Sequence, residues 1–186
     1  MPEFLPFIAT RFERERVELS RVVAPPYDII SNALRDELYE RDEHNIVRID
    51  YSREADPYTS AAEAWVDWQG EGVLRDEPRP HFYVYTQIFR GQDGEQLSRT
   101  GVLGRLRLSE YSSGEVRPHE RTYDWPKSDR LSLMEATRAN ISPIFGVIQE
   151  PMLLFDQTLE IATVRPAIAD IDERLPDGST LSLIHI

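Results

Sequence analysis

The sequence predicts an α+β fold, with a mixed, largely antiparallel sheet and flanking helices. Three observations carry this expectation. Segments of strand and helix periodicity interleave along the chain. The aromatic run Phe82 to Phe89 and the apolar run Thr100 to Leu108 flank a Gly91-Gln92-Asp93-Gly94 turn, and such a hairpin demands antiparallel pairing. With 186 residues, 40% of them apolar and 10% aromatic, the chain can bury a sizeable core and reads as globular.

Taken in order, the stretch Val22 to Ile30 opens apolar and breaks at Pro25-Pro26. Pro26 keeps Pro25 out of the helical region, so an extended strand or loop is expected. Ser31 can cap a helix running to about Arg41, with Leu34 and Leu38 on one face. Asn45 to Tyr51 alternates as a strand would, with Val47, Ile49 and Tyr51 pointing one way. A second helix starts near Pro57, places Ala61, Trp65 and Trp68 on a shared face, and ends at Gly70 and Gly72. Phe82 to Phe89 reads as a central strand covered on both sides, returning after a long loop as Thr100 to Leu108. A third helix is expected from about Ser128 to Ala139, closed by Asn140. Pro143 bars its continuation, Ile144 to Gln149 follows as a short strand, and Pro166 to Leu175 reads as a last helix. Gly101 and Gly104, inside the return strand, point to packing or a bulge.

Composition narrows the function. The chain has 33 acidic against 21 basic residues and no cysteine. A disulfide scaffold, a thiol nucleophile and a thiolate zinc site are thereby excluded within this chain. A net charge of −12 argues against broad electrostatic binding to nucleic acid or anionic membrane. No apolar run is long enough for a transmembrane helix, and Met1 to Arg16 does not resemble a secretory signal, so a cytoplasmic location is expected. P-loop, dinucleotide-binding and nucleophile-elbow glycine motifs are absent.

The densest set of reactive groups lies between His119 and Asn140: His119, Glu120, Thr122, Lys127, Asp129, Arg130 and Asn140. Lys127 and Arg130 flank the expected start of the third helix, where cations oppose the helix dipole. A bound anion would reverse that penalty, since free N–H groups beside Lys and Arg make a phosphate site. The alternative is that Asp129, Asp124 or Glu120 neutralises both cations in surface pairs. Glu120 fits a general base or divalent-ion ligand, as phosphoryl transfer requires; His119 reads equally as a structural histidine. Asp28 could line a binding cleft or cap a helix. Tyr27, Trp65 and Trp68 read as core, and the Arg11 to Arg16 run as a solvated face.

Five segments in order then resemble one family: Ala24-Pro25-Pro26-Tyr27-Asp28, Glu71-Gly72-Val73-Leu74, His119-Glu120-x-Thr122, Lys127-x-Asp129-Arg130 and Ala139-Asn140-x-Ser142-Pro143-Ile144-Phe145. Together they resemble the bacterial and archaeal domain-of-unknown-function family 1015. Members of that family are longer and carry a later Asp-Gly-His-His-Arg element that looks like the phosphate-contacting loop of the ParB/sulfiredoxin-like fold. The resemblance implies that this chain is an N-terminal part, ParB/sulfiredoxin-like once complete. It also implies a nucleotide-dependent phosphotransferase, with free L-serine as acceptor, ATP or ADP as donor and Mg²⁺ as cofactor. On that view Glu120, His119 and Asp28 are catalytic, Glu120 also meets the metal, and Lys127, Arg130, Thr122 and Asn140 bind the cofactor. The implied partners are a hydroxyl amino acid and a nucleotide, without nucleic acid or membrane. A ParB-like nucleotide-binding or regulatory module without metabolic catalysis is the alternative. Finally, Leu181-Ser182-Leu183-Ile184-His185-Ile186 matches the translation of a transposon-end sequencing adapter, so native sequence is expected to stop near Thr180; a true apolar C-terminal strand is the competing reading.

Overall fold

A computed structural model of the chain describes residues 2–118 and 124–147, together with 159–160, 164, 167, 169–171 and 180–185. Two short strands, β1 (Phe4–Leu5) and β2 (Thr10–Phe12), lead into a one-turn helix, α1 (Leu19–Val22). Val23 to Pro26 is extended, as the two prolines require, and a 3-10 turn at Tyr27–Ile29 follows. Helix α2 (Asn32–Arg41) is capped by Ser31, whose Oγ accepts the Leu34 N–H at 3.2 Å.

The next element departs from expectation. Val47–Asp50 forms a one-turn helix, α3, and not a strand. The alternation that suggested a strand is real: Asn45, Val47 and Ile49 are buried, with half-buried residues between them. Its cause is Asn45. The Asn45 amide donates to the carbonyls of Arg21 (2.6 Å) and Val23 (3.2 Å), and its Oδ1 accepts the Val47 N–H (3.1 Å). An asparagine satisfied in this way starts a helical turn and occupies the segment's inner side with no strand partner.

Helix α4 (Pro57–Gly70) runs as expected, with Asp56 accepting the Thr59 N–H at its start. At its end Gly72 takes φ +73°, and the Val73 N–H folds back to the Trp68 carbonyl, a turn that favours glycine. Strand β3 (Leu74–Asp76) then pairs antiparallel with β2, in register Phe12 with Leu74 and Thr10 with Asp76. The Arg11 to Arg16 run is therefore solvated only in part: Arg11 is half-buried and pairs with Glu77, while Arg14 to Arg16 are exposed.

Strands β4 (Tyr83–Arg90) and β5 (Gln96–Leu103) form the expected hairpin, in register from Tyr83 with Leu103 to Arg90 with Gln96. Its connection is tighter than expected, because Gly91 N–H and Gly94 N–H close a turn with Gly94 at φ +79°. Only Tyr83 and Val84 of β4 are buried, so full cover on both faces is not realised. Strand β6 (Arg105–Leu106) pairs with β1; Phe4 lies so close to Gly104 that a Cβ there would meet its ring at 2.5 Å.

Helix α5 spans Asp124–Thr137, four residues earlier than expected at its start. Pro126 is the reason: within a first turn its missing N–H has no helical acceptor to lose. At the other end Arg138, at φ +55°, and not Asn140, makes the left-handed exit. Residues 143–147 form no regular element, which corrects the strand expected from Ile144; 148–149 lie outside the described residues. The helix expected over Pro166 to Leu175 is replaced at Ala169–Ile171 by strand β7, which pairs with β8 (Thr180–His185). Backbone pairing places β8 beside β4, in sheet order β5-β4-β8-β7.

One core joins Ile49, Ala61, Trp68, Val73, Leu74 and Leu133, tying α3, α4 and α5 together; a second holds Ile30, Leu38, Tyr39 and Val47 between α2 and α3. Each of the Ile, Leu and Val side chains among these contributes about 1.5–3 kcal/mol on burial. Helix α3 belongs to both cores, and the residue at its end, Asp50, faces the site described next.

Candidate functional site

Arg130, in the second turn of α5, is the centre of a polar hub. Its Nε and Nη2 donate to Asp129 Oδ2 (2.9 and 2.6 Å), Nη1 donates to Asp50 Oδ1 (2.6 Å), and Nη2 also donates to the Asp50 carbonyl (2.9 Å). The Tyr27 ring lies under the guanidinium, 3.9 Å from its carbon to the ring centroid. Ser142 Oγ donates to Asp50 Oδ1 (3.0 Å), and Tyr58 Oη donates to Asp129 Oδ1 (2.9 Å). Burial first, and then the bond to Asp129, raises the Tyr58 phenol above its ordinary pKa, so it stays a donor at neutral pH. The side chains of Arg130, Asp50 and Asp129 are only 20, 12 and 17% exposed, so solvent screens these pairs weakly.

Helix geometry explains the assembly. Asp129 and Arg130 are neighbours in α5, Asp50 ends α3, Tyr58 lies in the first turn of α4, and the Tyr27–Ile29 turn leads into Ile30 of the α2 core. Hydrophobic contact between α3, α4 and α5 therefore brings the two carboxylates to one guanidinium.

The charged residues expected at the helix start separate into two settings. Arg130 is held by Asp129 and Asp50, the first of which is one of the neutralising partners the sequence offered. Lys127 is exposed, 3.7 Å from exposed Asp124, a surface pair of little energetic weight. Asp28 is exposed on the 3-10 turn, with its carboxylate in no hydrogen bond or ion pair among the described residues; Ser31 does the capping. Asn140 is exposed two residues before Ser142. His119, Glu120 and Thr122 lie outside the described residues. Trp68 is buried in the core and Trp65 packs against it. Asp50, Tyr58 and Ser142 were not singled out from sequence. Asp50 sat in a segment read as a strand, whereas Ser142 was visible only as part of the Ala139-Asn140-x-Ser142-Pro143 segment.

Among the described residues no group of three or more His, Asp or Glu side chains could hold a metal ion, and both hub carboxylates are committed to Arg130. The described residues thus do not fit a protein-built metal cage. Nor is any described helix long and apolar enough to cross a membrane.

Fold and hub define an α+β protein organised around a carboxylate-clamped arginine. The chain belongs to the DUF1015 family, described as a protein of unknown function, whose sequence model matches residues 4–186. No curated protein and no solved structure matches it.

Proposed function

We propose that the chain is part of a nucleotide-dependent small-molecule phosphotransferase, with free L-serine as acceptor. One observation supports this most. Three of the five family-like segments, those containing Tyr27, Arg130 and Ser142, converge on one hub, and each carries an exposed polar residue one to three positions away: Asp28, Lys127 and Asn140. In this reading Arg130 is a positioning residue, because its N–H groups are already engaged. Lys127 draws the terminal phosphates of ATP or ADP, and leaving Asp124 costs it little. Asn140 orients the substrate. The substrate hydroxyl oxygen attacks the terminal phosphorus, the bond to the bridging oxygen breaks, and the hydroxyl proton passes to the Glu120 carboxylate, with Asp28 lining the same cleft. Mg²⁺ would arrive on the nucleotide's phosphates, which is its usual mode in such enzymes.

The test uses the full-length protein with Mg²⁺, ATP or ADP and a panel of hydroxyl compounds, with phosphorylated products read by mass spectrometry. Phosphoserine is expected, and Glu120→Gln should abolish it while nucleotide still binds. Nucleotide binding without any phosphorylated product would favour the regulatory module instead.

A further inference from the structure

A second cationic site lies in the seam between α2 and α3. Helix α2 gives this seam Arg35 and Tyr39, α3 gives Arg48, and Tyr51, the residue after α3, gives the second ring. Arg35 of α2 lies 5.1 Å from the centroid of Tyr51, and Arg48 of α3 lies 4.3 Å from that of Tyr39. The arrangement is reciprocal: Arg35 and Tyr39, four residues apart, share a face of α2, and Tyr51 follows Arg48 by three residues at the end of α3.

The arginines stand out by what they lack. The other half-buried arginines among the described residues end on carboxylates: Arg11 on Glu77, Arg41 on Glu37, Arg130 on Asp50 and Asp129. Among the described residues Arg35 and Arg48 meet none, in a chain with 33 acidic residues. The nearby acids are engaged elsewhere: Asp36 and Glu40 answer Arg53, which also lies over Tyr39, and Asp50 answers Arg130. Arg48 makes one hydrogen bond, Nη2 to the Tyr39 carbonyl at 2.8 Å. Both Nε atoms are buried without an acceptor, and among the described residues the Arg35 terminal nitrogens and Arg48 Nη1 donate no hydrogen bond. Two guanidiniums, each oriented by a tyrosine ring and each with unused donors, suit an oxyanion.

We propose that Arg35 and Arg48 form a binding subsite for the oxyanion of a small molecule, a phosphate or a carboxylate. Tyr51 of this subsite follows Asp50 of the hub directly in the chain. Its role as the place where substrate carboxylate or phosphate is held rests on the phosphotransferase reading; its existence does not.

The test is equilibrium binding to the full chain at constant ionic strength, with inorganic phosphate and acetate as separate probes and chloride as the reference. Saturable binding of phosphate, acetate or both is expected, and the preferred probe identifies the oxyanion. Arg35→Gln and Arg48→Gln should each weaken it about tenfold or more, whereas Arg53→Gln, whose charge is already paired, should change it less than about twofold. Should a glutamine variant not fold, arginine Nε–H resonances of the wild-type protein give the same answer, with those of Arg35 and Arg48 moving in the titration. No saturable binding by either probe, or unchanged binding in Arg35→Gln and Arg48→Gln, overturns the proposal. Oxyanion binding without phosphoryl transfer would sink only the phosphotransferase reading, and transfer without oxyanion binding only this one.

Discussion

Arg130 makes four hydrogen bonds to protein oxygens, so its removal has a defined consequence. Arg130→Ala leaves two weakly exposed carboxylates without their cation, and should cost about 3 kcal/mol of unfolding free energy in a urea titration. Arg130→Lys keeps the charge but loses the fork and the stack on Tyr27, so it should recover only part of this. An alanine variant as stable as wild type would mean that the clamp contributes nothing net. The clamp was half legible in the sequence. Asp129 is adjacent to Arg130 and could be named; Asp50 lies 80 residues away and only tertiary packing supplies it. A second residue-scale prediction concerns pH. Hydrogen bonds from Thr59, side chain first and then backbone, lower the Asp56 pKa below 3.8. A depressed folded-state pKa means stability present above the unfolded value and lost as pH falls through the folded one. Asp56→Ala should therefore lower Tm at neutral pH, and the gap from wild type should close in acid. A gap independent of pH would remove the charge of Asp56 from the account.

At the scale of elements, the helix ends carry the information that periodicity did not. Ser31 and the Pro57 start were readable because cap residues act within three positions. The start of α5 was misplaced because Pro126 reads as a breaker, although the first turn tolerates it. That shift of one turn moves Arg130 away from the helix terminus and dissolves the pair of cations expected there. Helix α3 was misread because a four-residue turn buried on several sides imitates alternation. The exit of α5 yields a direct prediction. Arg138 holds φ +55°, a conformation that costs an L residue roughly 1 kcal/mol, so Arg138→Gly should raise stability by about that amount in thermal or urea unfolding. A loss of stability would show that the Arg138 side chain contributes more than the strain removes.

For the whole molecule, the α+β class and the hairpin followed from local signals, because turn glycines and flanking apolar runs act at short range. The pairing of β1 with β6, and of β2 with β3, joins segments far apart in sequence and left no such trace. The hub is likewise a product of tertiary packing: three separated segments meet at Arg130, and Asp28, Lys127 and Asn140 lie one to three residues along the chain from its members. The measurement that tests this most directly is the initial rate of phosphoserine formation by the full-length protein at nucleotide below KM, followed by ³¹P NMR for wild type and for Lys127→Ala. The account predicts a phosphoserine resonance that grows with time for wild type and at least about tenfold more slowly for the variant, one lost charge-assisted phosphate contact. Equal rates for the two proteins, or no resonance from wild type, would contradict it.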